Sequence, residues 1–315
     1  MSEARSRSWW STALVSFATG PFGGFLWIGA GRWALASLVV MAGALLYFCY
    51  FGIPLLPENE LTGALFDFAR IALGVVSILV VVPFTRWFSR DKWYAHGLSV
   101  FLIAFVLPLA VAFAIRSFLF QPFSIPASSM EPTLQVGDHL WVSKSAYGYS
   151  RYSVPFGLLP IEGRVFGREP ERGDIVVLKR PNNPQLDYVE RLVGLPGETI
   201  QMIGGVLHIN GVAVTLEDIG AYASEEAKGT LQRETLPNGV SYSIVSITDN
   251  SLSDDTQAFT VPAGHYFVLG DNRDNSADSR FSLGFVPYEN LIGKAVRLYW
   301  NSNGVDYFDR QTLRQ

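Results

Sequence analysis

The distribution of apolar residues constrains the architecture of this chain more than any other feature. Hydrophobic residues make up 49% of its 315 residues, but the excess lies in residues 1–120, and the remainder has the texture of a globular domain. The run from Trp33 to Pro57 carries no charged residue and is long enough to cross a bilayer as a helix. Further long apolar runs follow closely. We therefore predict three transmembrane helices, at about 33–55, 63–85 and 97–117.

The apolar segment 11–30 differs from these runs because Gly20-Pro21-Phe22-Gly23-Gly24 interrupts it. We predict an interfacial or re-entrant segment there, while the alternative that it spans the membrane stays open. Charge supports an N-terminus in the cytoplasm, since three spans then place the basic residues inside and residue 120 onward outside. The loop between the first two spans holds Glu58 and Glu60 and no basic residue. The basic residues on the cytoplasmic side are Arg5, Arg7, Arg32, Arg86, Arg90 and Lys92.

Composition also excludes several classes of site. The net charge is −4, and no dense basic stretch is present, so we expect no nucleic-acid partner. The single cysteine, Cys49, excludes an intramolecular disulfide and a cysteine zinc cluster. We expect neither a metal nor a cofactor.

Residues 120–315 consist of short β-type runs separated by Gly, Pro, Asn and Asp. This pattern predicts a mostly antiparallel β-domain on the outer side of the membrane. Residues 215–260 are polar and acidic, and we predict that they form an insertion outside the core. The expected strands include HLWVSK (139–144), DIVVLKR (174–180), TIQMI (199–203), VLHI (206–209), YSIVSI (242–247) and HYFVLG (265–270).

A serine-rich segment, FSIPASSMEPTL at 123–134, follows the third apolar run almost at once. By itself such a segment is typical of a turn. Its position is more informative, because a nucleophile just beyond a membrane helix would act on membrane-anchored substrates at the bilayer surface.

The sequence resembles bacterial signal peptidase I in four blocks that together span most of residues 120–300. The resemblance implies a membrane-anchored serine endopeptidase with a Ser–Lys dyad, which cleaves signal peptides from secretory preproteins after small residues. The blocks are QPFSIPASSMEPTL with GDHLWVSKSAYG, RGDIVVLKRP (172–181), LDYVERLVGLPGE (186–198), and GDNRDNSADSRF (270–281) followed by GFVP (284–287).

The resemblance assigns Ser129 as nucleophile and leaves Glu190 at the position of the family's lysine base. Lys144 and Lys179 match other positions. A serine hydroxyl needs an adjacent base, and a carboxyl group is a poor one near neutral pH. Many members also carry a serine at the position of Ala127, where its hydroxyl helps to stabilise the oxyanion. The supporting residues implied by the resemblance are Met130, Arg191, Ser276 as partner of the base, and the pair Asp278 and Arg280.

Two functions therefore stay open. The first is a signal peptidase that cleaves after Ala-x-Ala-like sites. The second is a catalytically impaired or inactive homologue that binds signal peptides or membrane partners, and an incidental or engineered loss of the lysine would look the same. In either case we expect a multi-pass protein of the bacterial cytoplasmic membrane, monomeric and in contact with lipid. Its substrate would add as a β-strand along an apolar groove beside Ser129, lined by Ile125 and Met130.

Overall fold

The computed structural model describes residues 7–51, 60–88, 92–154, 161–248, 251–304 and 310, without the side chains of 42–51 and 60–70. The chain divides into two compact units, Met1–Ala114 and Ile115–Gln315. The first is helical and the second consists mainly of β-strands. The β region begins at Phe120, the residue at which the long apolar runs give way to short β-type runs.

The helices of the first unit follow the apolar runs. They are α1 (Trp9–Trp27), α2 (Gly31–Phe51), α3 (Glu60–Val81) and α4 (Gly97–Phe118). Among the residues whose side chains the structure describes, α4 is the one helix long and apolar enough to cross a membrane, and the apolar helical stretches Gly31–Met41, in α2, and Ile71–Arg86, which begins in α3, are shorter. Residues 52–55, which end the first expected span, lie outside the described residues. α1 is broken at Gly20, which has a positive φ of 67° just before Pro21, so the interruption expected in segment 11–30 is a kink between two helical stretches.

The second unit contains sixteen described strands. In chain order they are β1 (Phe120–Ser124), β2 (Asp138–Ser143), β3 (Tyr149–Ser150), β4 (Arg164–Val165), β5 (Ile175–Arg180), β6 (Asn183–Gly194), β7 (Thr199–Ile203), β8 (Val206–Ile209), β9 (Val212–Ala213), β10 (Thr215–Ala223), β11 (Lys228–Thr235), β12 (Ser241–Ser246), β13 (Phe259–Thr260), β14 (His265–Leu269), β15 (Val286–Pro287) and β16 (Leu291–Asn301).

The largest sheet has seven strands in the order β1-β2-β16-β5-β6-β14-β15, and all its pairings are antiparallel. β2 alternates buried and half-buried residues, as expected of a strand with one face on a core. The first four residues of β5 are all buried, so both faces of that strand are covered. The fold is the antiparallel, β-rich architecture that the sequence predicts.

The segment 215–260 corrects one expectation. Its strands β10, β11 and β12 form a separate three-stranded sheet, but the segment does not lie wholly outside the core. Leu236, Tyr242 and Ile244 are buried in one hydrophobic cluster with Ile200 and Phe267. The polar composition misled the prediction because the buried residues are few and lie mainly on one face of β12.

Candidate active site

The segment that carries Ser129 is a tight turn between β1 and β2, held by apolar anchors and by one loop. Met130 and Leu134 are buried in the core, and the Leu134 N–H donates to the Met130 carbonyl at 2.9 Å. The Asn272 backbone N–H donates to the Ser129 carbonyl at 2.9 Å. The side-chain carboxamide of Asn272 donates to the Ser128 carbonyl at 3.1 Å. These contacts fix the backbone while Ser129 itself stays partly exposed.

Glu190 lies on β6 opposite Val176 of β5 and is 1% exposed. The Ser276 hydroxyl lies 3.4 Å from each of its carboxyl oxygens, a long hydrogen bond. Burial raises the pKa of Glu190 well above its ordinary value, and the nearby carboxylates of Asp278 and Asp271 raise it further. Both effects favour the protonated, neutral form of the Glu190 side chain.

Gly270 lets the chain just after β14 approach the turn that carries Ser129. A Cβ atom built there would lie 2.4 Å from Ser276 Cβ and 2.7 Å from the Ser129 carbonyl oxygen, and both distances are shorter than any normal contact. Only glycine therefore permits Ser276 and Ser129 to pack this closely around one backbone position.

Arg191, next to Glu190 in sequence, joins β6 to the same loop. Its Nε and Nη2 atoms donate to the two carboxylate oxygens of Asp271 at 2.7 and 2.6 Å. The Thr133 hydroxyl donates to the same carboxylate at 2.5 Å, and Arg191 Nη1 donates to the Gly173 carbonyl at 2.9 Å. Arg191 is thus tied by hydrogen bonds to the 270–280 loop, and the sequence does not single out Asp271 or Thr133 as its partners.

Asp278 and Arg280 form the pair that the resemblance implies. Arg280 Nε and Nη2 donate to the two carboxylate oxygens of Asp278 at 3.0 and 2.7 Å, and both side chains are almost completely buried. The Gly270 N–H donates to Asp278 at 3.1 Å, while Arg280 also donates to the Arg273 carbonyl at 2.6 Å. The pair closes the 270–280 loop on itself.

A second buried pair was missed by sequence reasoning. Arg273 donates to both carboxylate oxygens of Glu234 at 2.8 and 2.6 Å, and the Tyr242 hydroxyl donates to the same carboxylate. The Tyr242 ring also lies 3.8 Å from the Arg191 guanidinium carbon. Glu234 and Tyr242 belong to the segment read as an insertion, and no local pattern marks either residue as a partner of a loop far along the chain.

Ser129, Glu190 and Ser276 line one groove of about 820 Å³. One wall is β1 with the turn that follows it, and the other is residues 187–190 of β6. Ile125 and Met130, expected to line a substrate groove, are among the lining residues, as is the exposed Ala127. None of the described residues that line the groove is a lysine or a histidine.

Lys144 is the basic side chain that most invites comparison with the missing base. Burial lowers the pKa of its ammonium group to about 8, and the cation of Arg116 lowers it further. However, its Nζ atom donates to Gln121 Oε1 at 2.9 Å and to the Ser153 carbonyl. Lys144 is 1% exposed and does not line the groove, so it occupies a closed site behind the groove wall.

Comparison with known proteins agrees with this architecture. The family model described as signal peptidase, peptidase S26, matches residues 98–300. Signal peptidase I of Rickettsia typhi is 44% identical over 215 residues, which cover 65% of this chain and 81% of that protein. Signal peptidase I of Rickettsia akari is 44% identical over 230 residues, covering 70% and 83% respectively. A crystal structure of signal peptidase I from Enterococcus faecalis V583 is 32% identical and covers 40% of this chain and 97% of that one, with a TM-score of 0.27, too low to support a structural argument.

The chain belongs to the signal peptidase family, peptidase S26. Membership supports a signal peptidase function, and by family the chain is a hydrolase that cleaves peptide bonds. Proteins of this family are typically anchored in membranes, and α4 is the described helix that is suited to such an anchor.

Proposed function

We propose that this chain binds the signal peptides of secretory preproteins as a signal peptidase does, and that Glu190 holds its hydrolytic rate far below that of a Ser–Lys enzyme. Ser129 is the nucleophile in this proposal, and cleavage follows small residues at Ala-x-Ala-like sites. The observation that carries it is the groove itself, in which Ser129 and Ser276 are positioned around a buried carboxyl group whose pKa is raised.

Fast hydrolysis would need a group that takes the proton of the Ser129 hydroxyl. Attack by Ser129 requires a group that accepts the hydroxyl proton. A protonated Glu190 has no vacant site for it, and an ionised Glu190 would place a negative charge near the oxyanion that must form. Loss of a general base costs a serine hydrolase several powers of ten in rate. Ala127 adds no hydroxyl to the oxyanion site, which weakens the site further.

The second candidate is an inactive homologue that binds signal peptides or membrane partners without cutting. The same burial of Glu190 favours it. The two candidates differ in their dependence on Ser129, because cleavage requires its hydroxyl whereas binding survives Ser129→Ala. In both, we propose a monomer with several transmembrane helices, in the bacterial cytoplasmic membrane, with residues 120–315 on its outer side.

The deciding experiment compares preprotein cleavage by the full chain and by Glu190→Lys, both reconstituted in the same lipid. We expect little or no cleavage by the unaltered chain and a gain of at least about 100-fold in the variant, the lower end of what a positioned base contributes. Adding Ser129→Ala should abolish the gain. Glu225→Lys makes the same charge change at an exposed glutamate and should do nothing. Full cleavage by the unaltered chain, undiminished by Glu190→Gln, would mean that another residue is the base.

A further inference from the structure

The groove continues past the catalytic residues to a second end with a different chemical character. Arg116, Gln121 and Asp187 line the groove and lie around Lys144, and we call this part of the groove its distal end. On β6, Asp187 precedes Glu190 by three residues, a separation of roughly 10 Å at the rise of a strand. A substrate extended along the groove from Ser129 covers that separation in about three residues, so we place the distal end beyond the third residue before the scissile bond.

Apart from the Asp187 carboxylate, the polar groups at the distal end that have no partner in the described part of the chain are hydrogen-bond donors. Lys144 carries only donors, so the atom of Gln121 that it contacts at 2.9 Å is the carboxamide oxygen. The two N–H groups of the Gln121 amide therefore remain as donors, and they have no partner among the described residues. The guanidinium of Arg116 likewise makes no hydrogen bond or ion pair to any described residue, and its side chain is exposed.

The charges around the distal end sum to a positive value. The acceptor present there, the Asp187 carboxylate, is neutralised by Lys179 at 2.8 Å. Lys144 lies directly behind Gln121, and with a pKa of about 8 it remains mostly charged at neutral pH. The cations of Arg116 and Lys144 therefore have no counter-charge of their own among the described residues.

We propose that the distal end is an anion subsite that selects substrates carrying an acidic side chain four to six residues before the cleaved bond. The Arg116 guanidinium and the Gln121 amide would hold the carboxylate, with the charge of Lys144 behind them. The proposal rests on the proposed function, since it assigns a preference to the same groove. Continuity of the distal end with Ser129 in one groove favours a peptide carboxylate over a lipid headgroup.

Binding tests the proposal without requiring cleavage. Fluorescein-labelled peptides that share one Ala-x-Ala cleavage region would carry Asp, Asn or Lys at the fourth, fifth or sixth position before the cut. The full chain would be held in nanodiscs of phosphatidylcholine, which has no net charge, and affinity read by fluorescence polarisation. At low salt we expect the best Asp peptide to bind about 5-fold more tightly than its Lys counterpart, a difference that shrinks as salt is added.

Two variants locate the effect. Arg116→Gln should remove most of the preference for Asp. Gln121→Glu keeps an oxygen for Lys144 to contact but replaces the amide donors with a carboxylate, so it should remove or reverse the preference. Arg233→Gln removes an equally exposed cation on β11 and should leave the preference unchanged. Thermal melting of each variant checks that it is folded.

The outcomes distinguish failure of the anion subsite from failure of the proposed function. Peptides that bind with no dependence on charge would overturn the anion subsite and leave the signal-peptide groove standing. A preference that survives both Arg116→Gln and Gln121→Glu, or that appears only with anionic lipid in the disc, would also overturn it. Failure of every peptide to bind would overturn the proposed function, and the subsite with it.

Discussion

The Glu190→Gln variant should be more stable than the wild-type protein, and its advantage in the free energy of unfolding should grow as the pH rises. Glutamine has nearly the shape of a protonated glutamic acid but cannot ionise. The folded state raises the pKa of Glu190 through burial and through the carboxylates of Asp278 and Asp271. In the unfolded chain the same group titrates at its ordinary value, near 4.5. The two states therefore differ in bound protons over the pH range between those two pKa values.

The magnitude follows from linkage. Within that range the unfolded state has released the Glu190 proton and the folded state keeps it, so the unfolded state binds one proton fewer. The free energy of unfolding then falls by about 1.4 kcal/mol for each pH unit. The stabilising contribution is complete below the unfolded pKa and is lost as the pH rises through the folded one. Glu190→Gln lacks this dependence, so its advantage should grow at about 1.4 kcal/mol per pH unit and then level off.

Denaturant unfolding of the full chain in detergent, followed from pH 4 to pH 9, measures this difference. All other titrating groups are shared, so subtracting the two curves isolates Glu190, and the pH at which the difference levels off reports its folded pKa. Glu225→Gln, at an exposed position, supplies the control. A wild-type minus Glu190→Gln difference that stays constant with pH would refute the reasoning, because Glu190 would then ionise as readily in the folded state as in the unfolded one.

Three further predictions follow from the site and its supports. Glu234→Gln leaves the buried Arg273 unpaired and should cost about 3 kcal/mol in the free energy of unfolding, whereas Glu234→Leu with Arg273→Met should cost less than the two single changes combined. Gly270→Ala should destabilise the turn that carries Ser129, since its new Cβ collides with Ser276 and with the Ser129 carbonyl. In a Glu190→Lys background it should remove most of the gained cleavage, while Gly239→Ala, at an exposed turn, should not. Protease added to spheroplasts should degrade residues 120–315 and spare a cytoplasmic marker, and protection of that region would contradict the proposed topology.

Local patterns in the sequence predict local structure well in this chain. TIQMI and VLHI become β7 (Thr199–Ile203) and β8 (Val206–Ile209) with the boundaries given in advance. The Asn210-Gly211 pair that follows has positive φ at both residues, 54° and 80°, as a tight hairpin turn between β8 and β9 requires. These elements are set by alternation and by turn chemistry, which act over a few residues and can therefore be read without knowledge of the fold.

Motif resemblance picks out candidate site residues that lie in one groove, but it does not predict the charged pairs around them. Ser129, Glu190 and Ser276 come from three separate blocks, and the structure brings them to one groove. The partners of the supporting arginines were not foreseen in two of three cases. Asp278 and Arg280 are two residues apart, and the resemblance supplied that pair. Asp271 lies 80 residues from Arg191 and Glu234 lies 39 residues from Arg273, and nothing in a single sequence links residues at such separations.

The same limit explains why the composition of 215–260 predicts a segment outside the core. A buried carboxylate such as Glu234 looks like a surface residue in a sequence, because burying an unpaired charge is costly and acidic residues are therefore mostly exposed. Its burial becomes favourable only through Arg273 and the Tyr242 hydroxyl. Arg273 in turn lies between Asn272, which holds the Ser129 carbonyl, and the rest of the 270–280 loop. A segment that composition places at the surface thus supports the loop that holds the backbone of Ser129, and its contribution depends on pairing that forms only in the folded chain.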